Sequence, residues 1–436
     1  MWPYYPDLLE TPVPRYTSYP TAADFGELQP GALEQKIEKT SGDVSLYVHI
    51  PFCEKICFYC GCNTAASGKR QRVESYLSAL HSQLEAVAKL LPRDAGVRRV
   101  AFGGGSPNAI LPSEFIELVD ALNRNFWLHD TEWSIEIDPR TMTGDWCEVI
   151  SEAGITRASL GVQTFAAHCQ KAIGREQSDG LICRTIDWMR DAGVSSLNFD
   201  LMYGLPHQTE EDLADTLEYA QLLGADRIAL FGYAHVPHLI PRQKVIDATA
   251  LPGKDTRFAM AQQGFEYLTT HRYDPVGFDH FAKGSDPLAK AAKDGTLKRN
   301  FQGFTDDTAP VLLGLGSSAI NVFPELIAQN EKNSGRYRML SSQGLLCASD
   351  GIVRTPQDQM IGEVIEGLLC QNTATLSPCL LSKRQDTLAP FIARDLAKLE
   401  GLKLSITANG LPYARTIASL FDPYRQKAPR RFSSAI

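Results

Sequence analysis

Six short apolar bursts with helix-sized gaps between them constrain this chain more than any other feature of its sequence. They fall at Leu46–Ile50, Val100–Phe102, Trp133–Ile137, Ala158–Val162, Leu197–Met202 and Ile228–Tyr233. The stretches between them, such as Val73–Leu90 and Ser113–Asn125, alternate apolar and charged residues at helical spacing. Near-continuous apolar strands alternating with helices predict an α/β fold with a parallel sheet. Six such units would make most of a barrel, because a complete eight-unit barrel takes ~250 residues. An open doubly wound sheet satisfies the same periodicity.

Each burst runs into residues with chemistry to offer. The first leads to Pro51-Phe52-Cys53, the second to Gly103-Gly104-Gly105-Ser106-Pro107, and the third passes through Glu136 into Asp138-Pro139. The fourth ends at Gln163, the fifth carries Asp200 before Tyr203-Gly204-Leu205-Pro206, and the sixth leads into Ala234-His235. Barrels and open α/β sheets both place their active sites at the carboxyl ends of strands. Agreement among several strand ends is a stronger signal than any single motif.

Beyond this repeat the pattern changes. Glu331–Gly335 is expected as a linker, followed by helices over Gln357–Cys370 and Pro390–Leu399. A hairpin of Leu402–Ile406 and Leu411–Ala414 about an Asn409-Gly410 turn would complete a winged-helix-like unit. The expected organisation is a leader over 1–45, a catalytic domain over 46–330 and a mainly helical cover domain over 331–436. Lys427, Arg430 and Arg431 suit a solvated tail.

Composition narrows the function classes. Lys+Arg number 43 against 51 Asp+Glu, a net charge of −8, so no basic field points to nucleic acid or to an anionic membrane. No apolar run approaches the ~20 residues a membrane span needs. Met1–Pro6 shows neither the basic region nor the apolar core of a secretion signal, and a cytoplasmic protein is expected. Of the 10 cysteines, Cys53, Cys57, Cys60 and Cys62 crowd together while Cys147, Cys169, Cys183, Cys347, Cys370 and Cys379 stand singly. In a reducing compartment such crowding points to a metal or cluster rather than to disulfides. Three thiolates on one short loop can hold three irons of a cubane cluster and leave the fourth open to a small molecule. A structural zinc with Cys62 as fourth ligand is the competing reading.

Cys53-x3-Cys57-x2-Cys60, with Tyr59 before the third cysteine, resembles the motif of radical S-adenosylmethionine (SAM) enzymes. In that setting Gly103–Ser106 is similar to their methionine-binding glycine motif, with backbone amides expected to suit a carboxylate. The resemblance extends to Arg15–Pro20, Leu46–Cys53, Cys60–Asn63, Gly161–Phe165, Asp200–Pro206, Arg299–Gly303 and the closing Arg431–Ile436. Together these resemble the oxygen-independent coproporphyrinogen III oxidase family of the radical SAM superfamily. The fold implied is a partial (β/α)6 TIM-like barrel with a smaller, mainly helical C-terminal domain.

The resemblance also implies a site. Cys53, Cys57 and Cys60 would hold a [4Fe–4S] cluster, with Cys62 in support. Tyr47, Tyr59, Gly104, Gly105, Ser106, Glu136 and Ile320 would surround the cluster-bound SAM, with Phe301 and Gln302 nearby. Gln163, Arg175, Asp200 and Ala234 would surround a second SAM. The substrate would be coproporphyrinogen III, two of whose propionates become vinyls. A low-potential electron donor and an electron acceptor are required, and a monomer is expected. Each residue also has a plainer role open to it. Glu136 and Asp200 could cap the next helix, Arg175 could be a surface ion pair, Gln163 a satisfied buried amide, and Tyr47 and Phe301 core aromatics. His49, His235 and His280 are read as structural. Ser106 stands where the family more often has threonine, Phe304 where tyrosine is common, and the leader before Arg15 is short. A haem-binding chaperone on the same scaffold is the alternative function.

Overall fold

The computed structural model describes residues 1–425. The expected tail cations Lys427, Arg430 and Arg431, and the closing Arg431–Ile436 motif, lie outside them. All six expected strands form: β1 Val44–Ile50, β2 Val97–Gly104, β3 Leu128–Ile137, β4 Arg157–Gln163, β5 Ser196–Tyr203 and β6 Arg227–Gly232. They lie side by side in chain order, and every neighbouring pair among them is parallel. The connecting helices are α1 Arg70–Leu90, α2 Pro112–Asn125, α3 Gly144–Glu152, α4 Asp179–Asp191 and α5 Glu210–Leu222, and α6 Lys254–Thr270 follows β6. A parallel pair needs a long crossover, and a helix supplies it.

The helices form where the apolar spacing puts them. α1 buries Val73, Tyr76, Leu77, Leu80, Leu84 and Val87 along one face. α2 begins with Pro112 in its first turn, and the Glu114 carboxylate accepts the Leu111 N–H at 2.9 Å. Tyr76 of α1 donates to the His49 carbonyl at 2.7 Å and accepts from the Ser317 amide at 3.0 Å. The helix is thereby tied to the end of β1, where the cysteine loop begins.

The outer side of the strands is apolar, while the inner side mixes polar residues with Tyr47, Ala101, Met202 and Phe231. Along β4, Ala158, Leu160 and Val162 are buried in the core under the helices, whereas Arg157, Ser159, Gly161 and Gln163 face inward. Inward side chains from β1, β2, β3, β4, β5 and β6 line one shared hollow, so the sheet curls into a partial barrel. Its floor is ionic. Arg157 pairs with Glu132 at 2.6 Å and with Asp306 at 2.8 Å, and Arg99 reaches Asp306 at 2.8 Å. The two guanidiniums hold the Asp306 carboxyl far below the ordinary carboxylate range.

Among the described residues the sheet extends past the six-strand repeat to 13 strands, with His280–Lys283 and then Tyr273–Val276 added antiparallel beyond β6. Val311–Leu315 adds parallel to β1, and Ile320–Phe323, Leu326–Asn330, Ala348–Val353 and Gly26–Glu27 continue antiparallel from it. The expected linker over Glu331–Gly335 is therefore a turn inside this extension. Its polar residues are caps. Asn333 accepts the Gly335 and Arg336 amides and opens a helix over Ser334–Ser341, while Glu331 accepts the Asn333 amide at 2.8 Å. The catalytic sheet accordingly runs on to Val353, beyond the expected boundary at 330.

The C-terminal unit also departs from expectation in its second half. Helix Pro356–Cys370 forms, but the next helix spans Pro378–Ala393, opened by Ser377 as N-cap, and Pro390 lies inside its last turn. Leu399 belongs to a strand, Ala397–Glu400, which turns through Gly401 in the left-handed region into Lys403–Ile406. Asn409-Gly410 lies in a short 3-10 helix capped by Thr407 rather than in the hairpin turn. Thr373–Thr375 completes a three-stranded antiparallel sheet. The leader packs onto this unit: Leu9, Val13, Tyr16 and Tyr19 are buried in its hydrophobic cluster, and the Tyr16 hydroxyl donates to Asp422 at 3.0 Å. No helix among the described residues is long and apolar enough to cross a membrane.

Candidate active site

A cavity of about 490 Å³ opens at the carboxyl ends of the six strands. Cys53, Cys57, Tyr59, Cys60 and Cys62 line one side of it; Gly104, Gly105, Ser106, Glu136, Gln163, Arg175, Asp200 and Ala234 line the rest. Tyr47 and Ile320 lie in an adjoining hollow with Phe301 and Gln302, which meets the first at Gly104, Glu136 and Cys62. Residues more than 180 positions apart in sequence are thus brought to one place by the strand ends.

The cysteine loop is built for an anionic group. Arg140 and Arg175 each place an Nη atom 3.4 Å from the Cys57 sulfur, and Asp138 bridges the two guanidiniums at 2.7 and 3.2 Å. Cys60 is hydrogen-bonded to Cys62, and that bond, helped by Arg242 and Arg175, draws the Cys60 thiol down to about 6 despite its burial. No three of the four sulfurs gather within 4.8 Å, as the donors of a single-ion cage would. Burial pushes the Cys53 thiol up to about 12, and the bond to Cys60 together with burial raises that of Cys62. The loop sulfurs beside two cations fit a polynuclear cluster that carries negative charge. Arg175 was open to a surface ion-pair role; it is instead 7% exposed, and its remaining hydrogen bonds go to the Gly161 carbonyl.

The glycine run contributes differently from expectation. The Gly104 N–H donates to Glu136 at 3.1 Å, Gly105 N–H to the Ile50 carbonyl at 2.8 Å, and Ser106 N–H to the Phe52 carbonyl at 2.7 Å. These amides are committed within the protein, that of Gly104 to the protein's own Glu136 carboxylate and the other two to backbone carbonyls. Their role is close approach. Gly104 has φ +118°, and a Cβ at Gly105 would lie 2.5 Å from the Phe52 carbonyl oxygen. The turn thereby locks the cysteine loop against β2. Ser106 Oγ bonds Asn108 and accepts the Asp138 amide, holding the next strand end.

Glu136 and Asp200 both face the cavity from the interior of the barrel. Burial pushes the Glu136 carboxyl up to about 7; the Gly104 N–H opposes this and the Asp200 charge adds to it. Asp200 is raised by burial as well, while bonds from Ser159 and Asn198, at 3.0 and 2.8 Å, hold it in place. Neither carboxylate caps a helix, the plainer role open to both. Gln163 sits at φ +70° where β4 breaks register with β5, a left-handed conformation that turns it toward the cavity. His49 is held neutral at about 4 by burial, wedged beside Gly104 and Tyr47. His280 bonds Asp279 at 2.7 Å. Of the pair Asp138 and Arg140, the sequence reading names Asp138, at the end of β3, but not Arg140, whose only signal is its place directly after Asp138-Pro139.

The parallel six-unit partial barrel, with a three-cysteine loop after its first strand, defines the radical SAM class of proteins. The family model described as the Radical SAM superfamily matches residues 47–220. The chain is 36% identical to the oxygen-independent coproporphyrinogen III oxidase of Bradyrhizobium diazoefficiens, over 98% of each chain. It is 38% identical to that of Cereibacter sphaeroides strain ATCC 17025 (98% and 97% covered) and 36% to that of Escherichia coli K12 (97% and 96%). The solved Escherichia coli coproporphyrinogen III oxidase, described as a radical SAM enzyme, superposes with a TM-score of 0.91 at 34% identity, covering 97% of this chain and 99% of that one. The chain belongs to the oxygen-independent coproporphyrinogen III oxidase family.

Proposed function

We propose that the protein converts coproporphyrinogen III to protoporphyrinogen IX without oxygen, decarboxylating two propionates to vinyls in haem synthesis. The observation that carries this reading is the single cavity joining the cysteine loop to Glu136, Asp200 and Arg175 at six parallel strand ends. Cys53, Cys57 and Cys60 would hold the [4Fe–4S] cluster; Tyr47, Tyr59, Gly104, Gly105, Ser106, Glu136 and Ile320 would face its SAM; Gln163, Arg175, Asp200 and Ala234 would face a second. When bound, cluster and SAM supply a 5′-deoxyadenosyl radical able to take a hydrogen atom from the β-carbon of a propionate. Breaking the bond to the carboxylate releases CO2, closes the vinyl double bond and frees one electron for an acceptor.

The protein's part is aim and exclusion. Glu136 and Asp200 offer acceptors to ammonium or ribose hydroxyls, and the ionic barrel floor closes the far side. The reading takes the protein to be cytoplasmic and monomeric, with a low-potential donor supplying electrons. The test is an anaerobic assay of the reconstituted protein with SAM, reductant, substrate and electron acceptor. Protoporphyrinogen IX, CO2 and 5′-deoxyadenosine, all lost in Cys57→Ser, are expected. Tight haem binding without SAM cleavage would favour the chaperone instead.

A further inference from the structure

Arg140 owes its place to a local turn. Asp138 caps the short 3-10 turn Pro139–Thr141 after β3 and accepts the Arg140 amide at 3.1 Å. The turn folds the guanidinium back onto the same carboxylate, which accepts from Nε at 3.0 Å and from Nη2 at 2.7 Å. Asp138 is fixed through its own backbone. Its amide donates to Ser106 Oγ and Asn108 Oδ1, both at 3.1 Å, and its carbonyl accepts from Asn108 at 2.9 Å. The segment after β2 therefore sets the position of the Arg140 fork.

That fork ends on the cysteine loop. Nη2 lies 3.2 Å from the Lys55 carbonyl and 3.4 Å from the Cys57 sulfur, and a planar guanidinium held at Asp138 has little freedom to leave them. Arg175 also reaches the Cys57 sulfur at 3.4 Å and Asp138 at 3.2 Å. The side chains of Arg140, Asp138 and Arg175 are only 11%, 9% and 8% exposed, so little water screens them. Two guanidiniums face one carboxylate, and the set is neutral only when Cys57 is a thiolate. Arg175 is assigned to the second SAM in the proposed function. Arg140 has no such assignment, and its Nε and Nη2 donors are taken by Asp138, Lys55 and Cys57.

We propose that Arg140 is a positioning residue that, through its contact with the Cys57 sulfur, raises the reduction potential of the cluster and so eases its one-electron reduction by the low-potential donor. This rests on the reading of Cys57 as a cluster ligand. The added electron makes a thiolate-bound cluster more negative, so a buried cation and N–H donor at a ligand sulfur favour the reduced form over the oxidised one. Asp138 offsets part of that charge and holds the fork in place. Water entering the loop would also favour the more negative form. A variant that merely loosened the loop would therefore raise the potential rather than lower it.

The cluster's midpoint is measured by anaerobic redox titration of the reconstituted protein, without SAM or substrate, with the electron paramagnetic resonance of the reduced cluster as readout. Wild type is compared with Arg140→Gln, Arg140→Met and Arg140→Lys; iron and sulfide content and melting temperature identify the folded, fully loaded variants. Arg140→Met, which keeps an apolar stem, provides the reading if Arg140→Gln fails to fold or load. At the wild-type midpoint the ratio of reduced to oxidised cluster is expected to fall about tenfold in the uncharged variants, a shift of about 59 mV to lower potential. Arg140→Lys restores the charge without the fork and is expected to lie between. A midpoint that is unchanged or raised in the loaded variants overturns the proposal and leaves Arg140 as a tie between the end of β3 and the loop. An unchanged midpoint with weakened SAM affinity overturns it too, and assigns the guanidinium to a ligand carboxylate. A full cluster retained by Cys57→Ser overturns the ligand reading and the tuning role with it. The titration contains no tetrapyrrole, so its outcome is independent of whether coproporphyrinogen III is the substrate.

Discussion

At the scale of single residues, the site depends on groups whose neighbours move them from their ordinary behaviour. Glu136 titrates near 7, raised by burial, with Asp200, Tyr47 and Cys62 around it and the Gly104 N–H donating to it. A cationic ligand prefers the ionised carboxylate, so SAM affinity is expected to rise with pH through about 7 and level off above it. Glu136→Gln is expected to flatten that profile, which isothermal titration at several pH values would read. The sign for stability is opposite. A carboxyl raised from its unfolded value of 4.5 favours the fold fully below that value and loses the advantage as pH climbs toward 7. Gly105→Ala places a methyl group against the Phe52 carbonyl; a cost of about 1–3 kcal/mol is expected in denaturant unfolding, with reduced iron retention after reconstitution.

At the scale of elements, the strands carry two messages at once. Their outward residues, such as Ala158, Leu160 and Val162, build the core, and these were legible as apolar bursts. Their inward residues build an ionic floor in which Arg99, Glu132, Arg157 and Asp306 compensate one another. Removing one partner leaves buried charge unpaired, so Asp306→Asn is expected to cost about 3–5 kcal/mol by chemical denaturation. Because the Asp306 carboxyl is depressed, its contribution is present above pH 4 and is lost as pH falls further; the variant should show a weaker acid dependence. The helix over Pro378–Ala393 shows where local signals mislead. Pro390 reads as a helix start, yet the Ser377 cap and the packing of Leu380, Leu388 and Phe391 carry one helix through it.

At the scale of the whole molecule, the two ends of the described chain meet. The leader buries Leu9, Val13, Tyr16 and Tyr19 in the C-terminal cluster, Asp7 pairs with Arg394 at 2.8 Å, and Arg15 reaches the cavity wall. Deleting residues 1–20 is expected to lower the melting temperature, to expose that apolar surface to a hydrophobic dye, and to weaken substrate binding more than SAM binding. A truncated protein with unchanged melting and substrate affinity would show that the leader is dispensable.

The sequence by itself determined the six-unit repeat, because burial between helices demands apolar strands, and the cysteine loop, because thiolate spacing is local chemistry. It also placed Glu136, Gln163 and Asp200 at strand ends, where a parallel sheet gathers its ligands. Tertiary structure alone decided between open sheet and partial barrel, since the inward polar residues find their partners only across the curled hollow. It also decided the roles of the glycine amides, the extent of the sheet to Val353, and the pairing of Arg140 and Arg175 about Asp138 and Cys57. Those contacts join residues far apart in the chain, and no periodicity or spacing encodes which distant charge a side chain will meet.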